Sequence, residues 1–337
     1  MAGHEHRIRK SPFTGARVCL APMAGYSDAP FRLICSELGA DFTFTGLVSA
    51  DGLVRSGERS EALMRRLDGE APLGVQLFGA DPACMGRAAA IAERAGASFV
   101  DLNFGCPVKK VVRKNGGAAL MRDIPRMELI GRTVIANVSI PVTAKIRSGW
   151  SADEKNFLEA GLALEQCGVS AVTLHPRPRS QGFSGQAHWE DIARLKETLS
   201  VLVIANGDIK CVADYREIVR VTGCTCAMIG RGALGNPWLF RDIKDASDGR
   251  APRGTGVGER LAVMERHVAA QVGFFGERTA VLEMRKFYRW YLRSYDGIKK
   301  YRAALSVAET YREVADIIAS LREELSEHGR DAAQRAS

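Results

Sequence analysis

The strongest constraint in this chain is a repeat of pattern rather than of residues. Between positions 18 and 235 a short apolar run, a polar turn and a helix with a start signal follow one another eight times. The first unit is VCLAPM and then AGYSD, where Asp28 and Pro30 supply an N-cap and an early-helix proline for FRLICSELGA. The remaining strands are expected at FTFTGLVS, LGVQLFG, FVDLNF, PVTAKIRSGW, SAVTLHPR, VLVIANGD and CAMIGRGALG. Their helices are expected from about Glu58, over 81–95, after Asp123 and Pro125, from Asp153, from about Trp189 and near Asp214. Eight such units, with glycine-rich turns after the last two strands, predict an α/β chain folded as a (β/α)8 TIM barrel. Periodicity alone leaves a doubly wound open sheet standing beside it.

The pattern breaks at 246–258, ASDGRAPRGTGVG, whose glycine, proline and small polar residues read as a connection. Residues 1–250 are therefore assigned to a barrel domain and 251–337 to a small C-terminal helical bundle domain, because apolar residues recur at three- and four-residue spacing from Glu259 to about Glu327.

Composition excludes several classes. An apolar fraction of 46% and a charged fraction of 26% over 337 residues describe a globular chain with a full core. No apolar run reaches the length of a membrane span, and the start HEHRIRK leads into SPFTGARV rather than a signal-peptide core, so the expected location is cytoplasmic. Eight cysteines (19, 35, 84, 106, 167, 211, 224, 226) lack CxxC spacing, which argues against a disulfide framework and against a metal site. A net charge of +8 admits a polyanionic partner.

A barrel binds its ligand at the C-terminal ends of its strands, so polar residues there carry weight: Gln76, Asn103, Cys106, Lys145, Arg147, His175, Arg177, Asn206, Asp208 and Arg231. Cys106 lies on the turn after FVDLNF, between Gly105 and Pro107, where a thiol serves as acid, base or nucleophile unless it is only a small buried hydrophobe. Lys145 is a charge inside an apolar strand, which requires an anionic or electron-rich partner; the Schiff-base lysine of an aldolase is the other reading. The NGD turn after strand seven and the GRG turn after strand eight offer backbone amides where barrels dock phosphate, with Arg231 beside them, and together predict a phosphorylated cofactor. His175 opens HPRPR, a loop in which Arg177 and Arg179 are expected to face solvent or substrate.

In the tail, Arg278, Arg285, Lys286, Arg289, Arg293, Lys299, Lys300 and Arg302 stand against only Glu283 and Asp296, interleaved with Phe287, Tyr288, Trp290, Tyr291, Tyr295 and Tyr301. Cations mixed with rings suit phosphate contacts and base stacking; the alternative is an amphipathic helix whose rings are core.

APMAGYSDAPFR, VQLFGADP, DLNFGCPVKKVVRKNGGAAL, TAKIRSGW, HPRPRSQGFSG, VIANGDI and MIGRGALGNPWLF, followed by HV…FFG…RKFYRWYL, resemble the successive signatures of the flavin-dependent tRNA-dihydrouridine synthases, with most similarity to the bacterial B-type branch. The resemblance implies that Cys106 is the general acid, that Pro22, Met23 and Ala24 line the flavin, and that Gln76, Lys145 and His175 bind its ring. It implies ribityl and phosphate contacts from Asn206, Gly207, Asp208, Gly230 and Arg231. Asn103, Arg177, Arg179, Arg285, Lys286, Arg289 and Arg293 would hold the substrate RNA. The implied reaction reduces a uridine C5–C6 double bond: reduced FMN passes hydride to C6, Cys106 gives a proton to C5, and NADPH or NADH restores the flavin. The expected partner is tRNA, the expected state a monomer. Three places depart from the family pattern: Gly46-Leu47 stands where Glu-Met is usual, VRKNGGAAL is shorter than the common glycine-rich form, and HPRPR replaces HGRTR. Rival readings are a flavin barrel reducing a free pyrimidine, similar to dihydroorotate dehydrogenases, a synthase acting on rRNA, a phosphate-binding aldolase, and an RNA-binding protein without turnover.

Overall fold

A computed structural model describes residues 12–293 and 298–335, with side chains apart from Arg59 and those beyond 325. The basic start of the chain and Tyr295 and Asp296 lie outside the described residues.

Nine strands are present among them: β1 Val18–Leu20, β2 Thr43–Phe44, β3 Val48–Ser49, β4 Leu73–Phe78, β5 Phe99–Asn103, β6 Val142–Arg147, β7 Ala171–His175, β8 Leu202–Asn206 and β9 Cys226–Ile229. All pair in parallel in the order β1-β9-β8-β7-β6-β5-β4-β2, with β3 also on β4. Backbone bonds from Leu20 N–H to Phe42 O and from Asp41 N–H to Val18 O close the ring between β1 and β2. The eight-unit expectation thus holds, with one refinement. The second strand is cut in two at Thr45-Gly46-Leu47, where the Thr45 hydroxyl, rather than a backbone carbonyl, accepts the Gln76 N–H at 3.0 Å.

The helices among the described residues are α1 Ala29–Glu37, α2 Ala50–Val54, α3 Glu58–Met64, α4 Pro82–Arg94, α5 Lys109–Val112, α6 Ile124–Asn137, α7 Phe157–Cys167, α8 Trp189–Thr198, α9 Val212–Thr222 and α10 Leu239–Ser247, then α11 Val257–Phe275, α12 Glu277–Tyr291, α13 Lys299–Val307 and α14 Tyr311–Arg335. The N-caps read from sequence do their work: the carboxylates of Asp28, Asp81 and Asp123 accept from the backbone N–H groups of Phe31, Cys84 and Arg126. The helix expected from Asp153 begins instead at Phe157, because Trp150 N–H bonds to Glu154 O and Gly149 bridges Lys155, which ties 149–155 into a loop. None of these helices is long and apolar enough to cross a membrane.

The barrel interior is layered by the period-two alternation of its strands. Its lower half is apolar: Phe13, Phe42, Phe44 and Phe99 pack edge to face at 5.0–5.8 Å with Cys19, Ile204 and Cys226. Gly74 leaves room for this plug, since a Cβ there would sit 2.2 Å from the Phe99 ring. Two residues further along β5 the inward side chain is Asp101, and two further again Asn103. The upper half of the barrel is polar for the same geometric reason.

α11 and α12 dock on α1. Phe31 stacks on His267 and meets Phe287, while Gln271 Nε2 donates to the Asp28 carboxylate at 2.9 Å. Phe287 is buried in this contact, Tyr291 is buried against His267 and Trp238, and Tyr288 is buried as well, which decides for the amphipathic alternative over base stacking for these three rings: they are core.

Candidate active site at the open end of the barrel

A cavity of about 500 Å³ opens at the C-terminal ends of the strands. It brings together Pro22, Met23, Ala24, Gln76, Asn103, Cys106, Lys145, His175, Arg177, Asn206, Gly207, Asp208, Gly230 and Arg231, which are sequence candidates from seven different strand ends, and adds Arg289 from α12. Arg179, Arg285, Lys286 and Arg293 are not part of its wall.

At the floor, Asp101 accepts from the Thr143 hydroxyl and from Gln76 Nε2, both at 2.6 Å. Gln76 Oε1 then accepts from Asn103 Nδ2 at 2.7 Å, and Asn103 Oδ1 accepts from the backbone N–H of Cys106 at 2.9 Å. A carboxylate can only accept, so its charge fixes the direction of every amide in the chain up to the cysteine turn. Burial pushes the Asp101 carboxyl up to about 6, with hydrogen bonds from Gln76 and Thr143 and the Lys145 charge opposing. Gln76 and Asn103 therefore serve first as braces for the turn that carries Cys106.

Cys106 is 7% exposed. Burial raises its thiol against weaker pulls from the Val108 N–H and the Arg147 charge, so it keeps its proton at neutral pH. That suits a proton donor better than a nucleophile. Arg147 holds the same turn from the other side: its Nε donates to Gly105 O at 2.8 Å and its Nη1 to Gly182 O at 2.9 Å, joining the β5 loop to the β7 loop.

Lys145 Nζ donates to Asn206 Oδ1 at 2.7 Å. Burial, reinforced by the Arg147 charge, lowers its ammonium to about 7. A cation held by a neutral amide at a cavity wall calls for an electron-rich ligand atom. His175 Nε2 faces Arg177 Nη1 at 3.2 Å; since a guanidinium only donates, Nε2 accepts and the ring's proton sits on Nδ1. Burial and four surrounding cations keep that ring neutral.

Arg177 is the clearest departure from expectation. It is 1% exposed and its guanidinium is spent on protein: Nε to Ser184 O, Nη2 to Gly185 O and to Asp208 Oδ2 at 2.7 Å. It braces His175 and the Asp208 turn instead of facing solvent. Arg179 packs over Trp150 at 4.7 Å. The Asp208 carboxyl is held below its usual range: burial would raise it, but hydrogen bonds from Arg177 and the Ala187 N–H outweigh that. An ionised carboxylate repels phosphate, so position 208 can offer a phosphate only its backbone, which adopts φ +57°. Arg231 stands at the same turn with its side chain half exposed and its nearest carboxylate 3.9 Å away, available to an anion.

The residues fit a flavin mononucleotide on the chemistry of their donors. An under-partnered lysine and a neutral histidine N–H would suit an electron-rich ring, and glycine turns beside an arginine 3.9 Å from its nearest carboxylate would suit a phosphate. Gly232 packs so tightly that a Cβ would lie 2.1 Å from Ile209 O, which draws the two turns together.

Asp101, beneath the cavity, and Phe183, in its wall, were not singled out from the sequence, whereas Trp290 was named among the tail's rings. Asp101 was hidden in an apolar run, although a charge in a strand interior was the available signal. Phe183 is 58% exposed at the cavity wall, with Arg147 and Arg231 over its ring at 5.4 and 5.1 Å. Trp290 is the one α12 ring at the cavity, flanked by Arg289 and Arg293 at 5.2 and 5.6 Å. Leu47, at the departure from the family pattern, also lines the wall. Lys286 pairs with Glu283 and lies over Tyr26, and Arg285 donates to Ala308 O at 2.9 Å.

Residues 19–328 match the family model for dihydrouridine synthase (Dus). The chain is similar to a tRNA-dihydrouridine synthase B from Pasteurella multocida (strain Pm70), 38% identical over 86% of this chain and 88% of that protein. A protein of the same name from Pseudomonas aeruginosa is 36% identical over 88% and 90% of the two chains. Among solved structures, a histamine dehydrogenase from Rhizobium sp. 4-9 superposes with a TM-score of 0.52 at 14% identity, and a 2-naphthoyl-CoA reductase complex with 0.52 at 10%. They cover 75% and 69% of this chain, which spans only 49% and 50% of theirs, and the likeness is one of fold.

Proposed function

The chain belongs to the dihydrouridine synthase family, and on that premise we propose that it reduces the C5–C6 double bond of a uridine in tRNA to 5,6-dihydrouridine. The observation that carries the reading is the meeting of a protonated, buried thiol with an under-partnered lysine and phosphate-type turns in one barrel-mouth cavity.

Lys145, His175, Asn206, the Gly207–Asp208 backbone, Gly230 and Arg231, beside Pro22, Met23 and Ala24, would hold FMN, which when bound would supply hydride for C6 drawn from NADPH or NADH. Cys106 Sγ–H then donates the proton that completes C5, so one hydride and one proton saturate the bond. Arg147 and the Asp101–Gln76–Asn103 chain keep that thiol in place, and Lys145 and the neutral His175 would supply hydrogen bonds to an electron-rich ring. Phe183 and Trp290 offer faces to bases, which supports an RNA substrate whose target base leaves its stack to enter the cavity. Arg289 and Arg293 beside Trp290 take backbone phosphates. A monomer suffices, since each of these groups comes from one chain.

The test is Cys106→Ala. The variant should keep flavin absorbance and its bleaching by NADPH while turnover on tRNA lacking dihydrouridine falls by roughly 10²–10⁴, the range for a lost general acid. Turnover equal to the native enzyme would remove the thiol from the reaction.

A further inference from the structure

The turn after Cys106 carries charge that the reaction does not use. Lys109, Lys110, Arg113 and Lys114 fall within six residues on and just after α5, and all four are exposed. None of them forms a salt bridge to any described residue. Four neighbouring cations with no carboxylate among them repel one another, a cost that a polyanion removes.

Their position gives the charge a direction. Pro107 and Val108, which lead into α5, line the cavity, and Val108 is an exposed apolar residue there. On the far side, Gly235 packs under Trp290, whose neighbours Arg289 and Arg293 are also exposed. In the closed ring, β5, which leads to Cys106 and α5, and β9, which leads to Gly235, are four strands apart among eight positions, and so lie across the mouth from each other.

α5 is also tied to the acid. Ala118 N–H donates to Cys106 O at 3.1 Å, and Gly117, at φ +59°, lies so close that a Cβ would come within 2.8 Å of Cys106 O and 3.0 Å of Cys106 Cβ. Val111, buried in α5, accepts from Gly116 N–H. The cations and the thiol therefore belong to one short, hydrogen-bonded segment.

We propose that α5 is a second phosphate grip for the substrate RNA, opposite Arg289 and Arg293, and that it sets how the strand beside the target uridine is presented to Cys106. The inference rests on the RNA reading above. Phosphates held on α5 would set the distance between strand and thiol, because Lys109 follows Cys106 by three residues and the segment bonds back onto Cys106 O. Loss of the grip thus weakens binding and slows the chemical step together.

The experiment uses the flavin-loaded full chain and an unmodified tRNA transcript, with binding followed by fluorescence anisotropy across a salt series. In Lys109→Gln/Lys110→Gln/Arg113→Gln/Lys114→Gln the slope of log K against log salt should shrink by ~3, at about 0.7–0.9 per lost phosphate contact. Single-turnover reduction at saturating RNA should slow, while flavin content and its bleaching rate by NADPH stay native. A slope change below one overturns the inference even if affinity falls. Should the fourfold variant lose flavin, the pairs Lys109→Gln/Lys110→Gln and Arg113→Gln/Lys114→Gln are read in its place, each expected to remove about half the effect. A native protein that binds no RNA at low salt would sink the RNA reading itself, a result distinct from native binding with an unchanged slope in the variants.

Discussion

Replacing Asp101 by asparagine keeps the side chain's shape and removes its charge, which separates stability from activity at this site. With its carboxyl at about 6 against 3.8 for the free group, the folded protein spends roughly 3 kcal/mol at pH 7 to keep it ionised. That cost is present above pH 6 and vanishes as pH falls to 3.8, because the folded state takes up the proton first. Asparagine removes it. Against this, Asp101 serves two donors, the Thr143 hydroxyl and Gln76 Nε2, and an amide offers one oxygen and one NH2. Three arrangements are open: the new amide oxygen serves Gln76 while the Thr143 hydroxyl accepts from its NH2 and loses its own acceptor, or Gln76 keeps its orientation against a facing NH2 group, or Gln76 and Asn103 both turn over and Cys106 N–H loses its acceptor; each leaves a group unpaired at ~1–3 kcal/mol. The two contributions nearly cancel in stability, so the melting temperature should stay within about 5 °C of native. They do not cancel in the reaction, since without the charge the chain of amides is no longer held to one direction, and its reversed form leaves the cysteine turn loose. Single-turnover reduction of tRNA should fall by roughly 10–100-fold, a loss of ~1.4–2.8 kcal/mol in the barrier. The assay is anaerobic mixing of the reduced, flavin-loaded variant with saturating tRNA, with a thermal melt in parallel. A native rate in a protein of native stability would refute the claim that this carboxylate orients the acid.

Two other expectations follow from packing and burial. Gly235 has φ +64° and a Cβ there would meet the Trp290 carbonyl carbon at 2.2 Å, so Gly235→Ala should displace α12 and weaken tRNA binding; Gly249→Ala, also left-handed at φ +76° but in open space, carries only the backbone cost of about 1–2 kcal/mol and should bind normally. Equal binding by both variants would mean that the rim contact is not needed. His267 is buried among Phe31, Phe287, Tyr291 and Gln271, the last of these bonded to Asp28, and burial with the Lys286 charge lowers it to about 3. The unfolded chain binds that proton from 6.5 downward and the folded one does not, so stability is whole above pH 6.5 and should decline by up to ~1.4 kcal/mol per pH unit below it. His267→Gln should flatten the melting-temperature profile between pH 6.5 and 4, and an unchanged profile would clear this histidine.

What the sequence could determine was local. Alternation of apolar and polar residues marked the strands, and Asp-x-Pro or Asp-Pro signals marked the starts of α1, α4 and α6, because both depend on neighbours a few positions away. The cavity residues were legible as well, since a parallel barrel places every strand's C-terminal end on one side. Only the tertiary structure decided which way a side chain turns among partners distant in sequence. Arg177 is drawn inward by Asp208, 31 positions away, and Asp101 gains its role from Gln76 and Thr143 on flanking strands. Phe287 became core against Phe31 of α1 and Tyr291 against His267 and Trp238, while Trp290, one position from Tyr291, points elsewhere and reaches the cavity. Helical spacing shows that such rings form a face, but it does not show what that face will meet. That depends on closure of the barrel and docking of α11 and α12, which bring together groups more than 200 residues apart, such as Asp28 and Gln271.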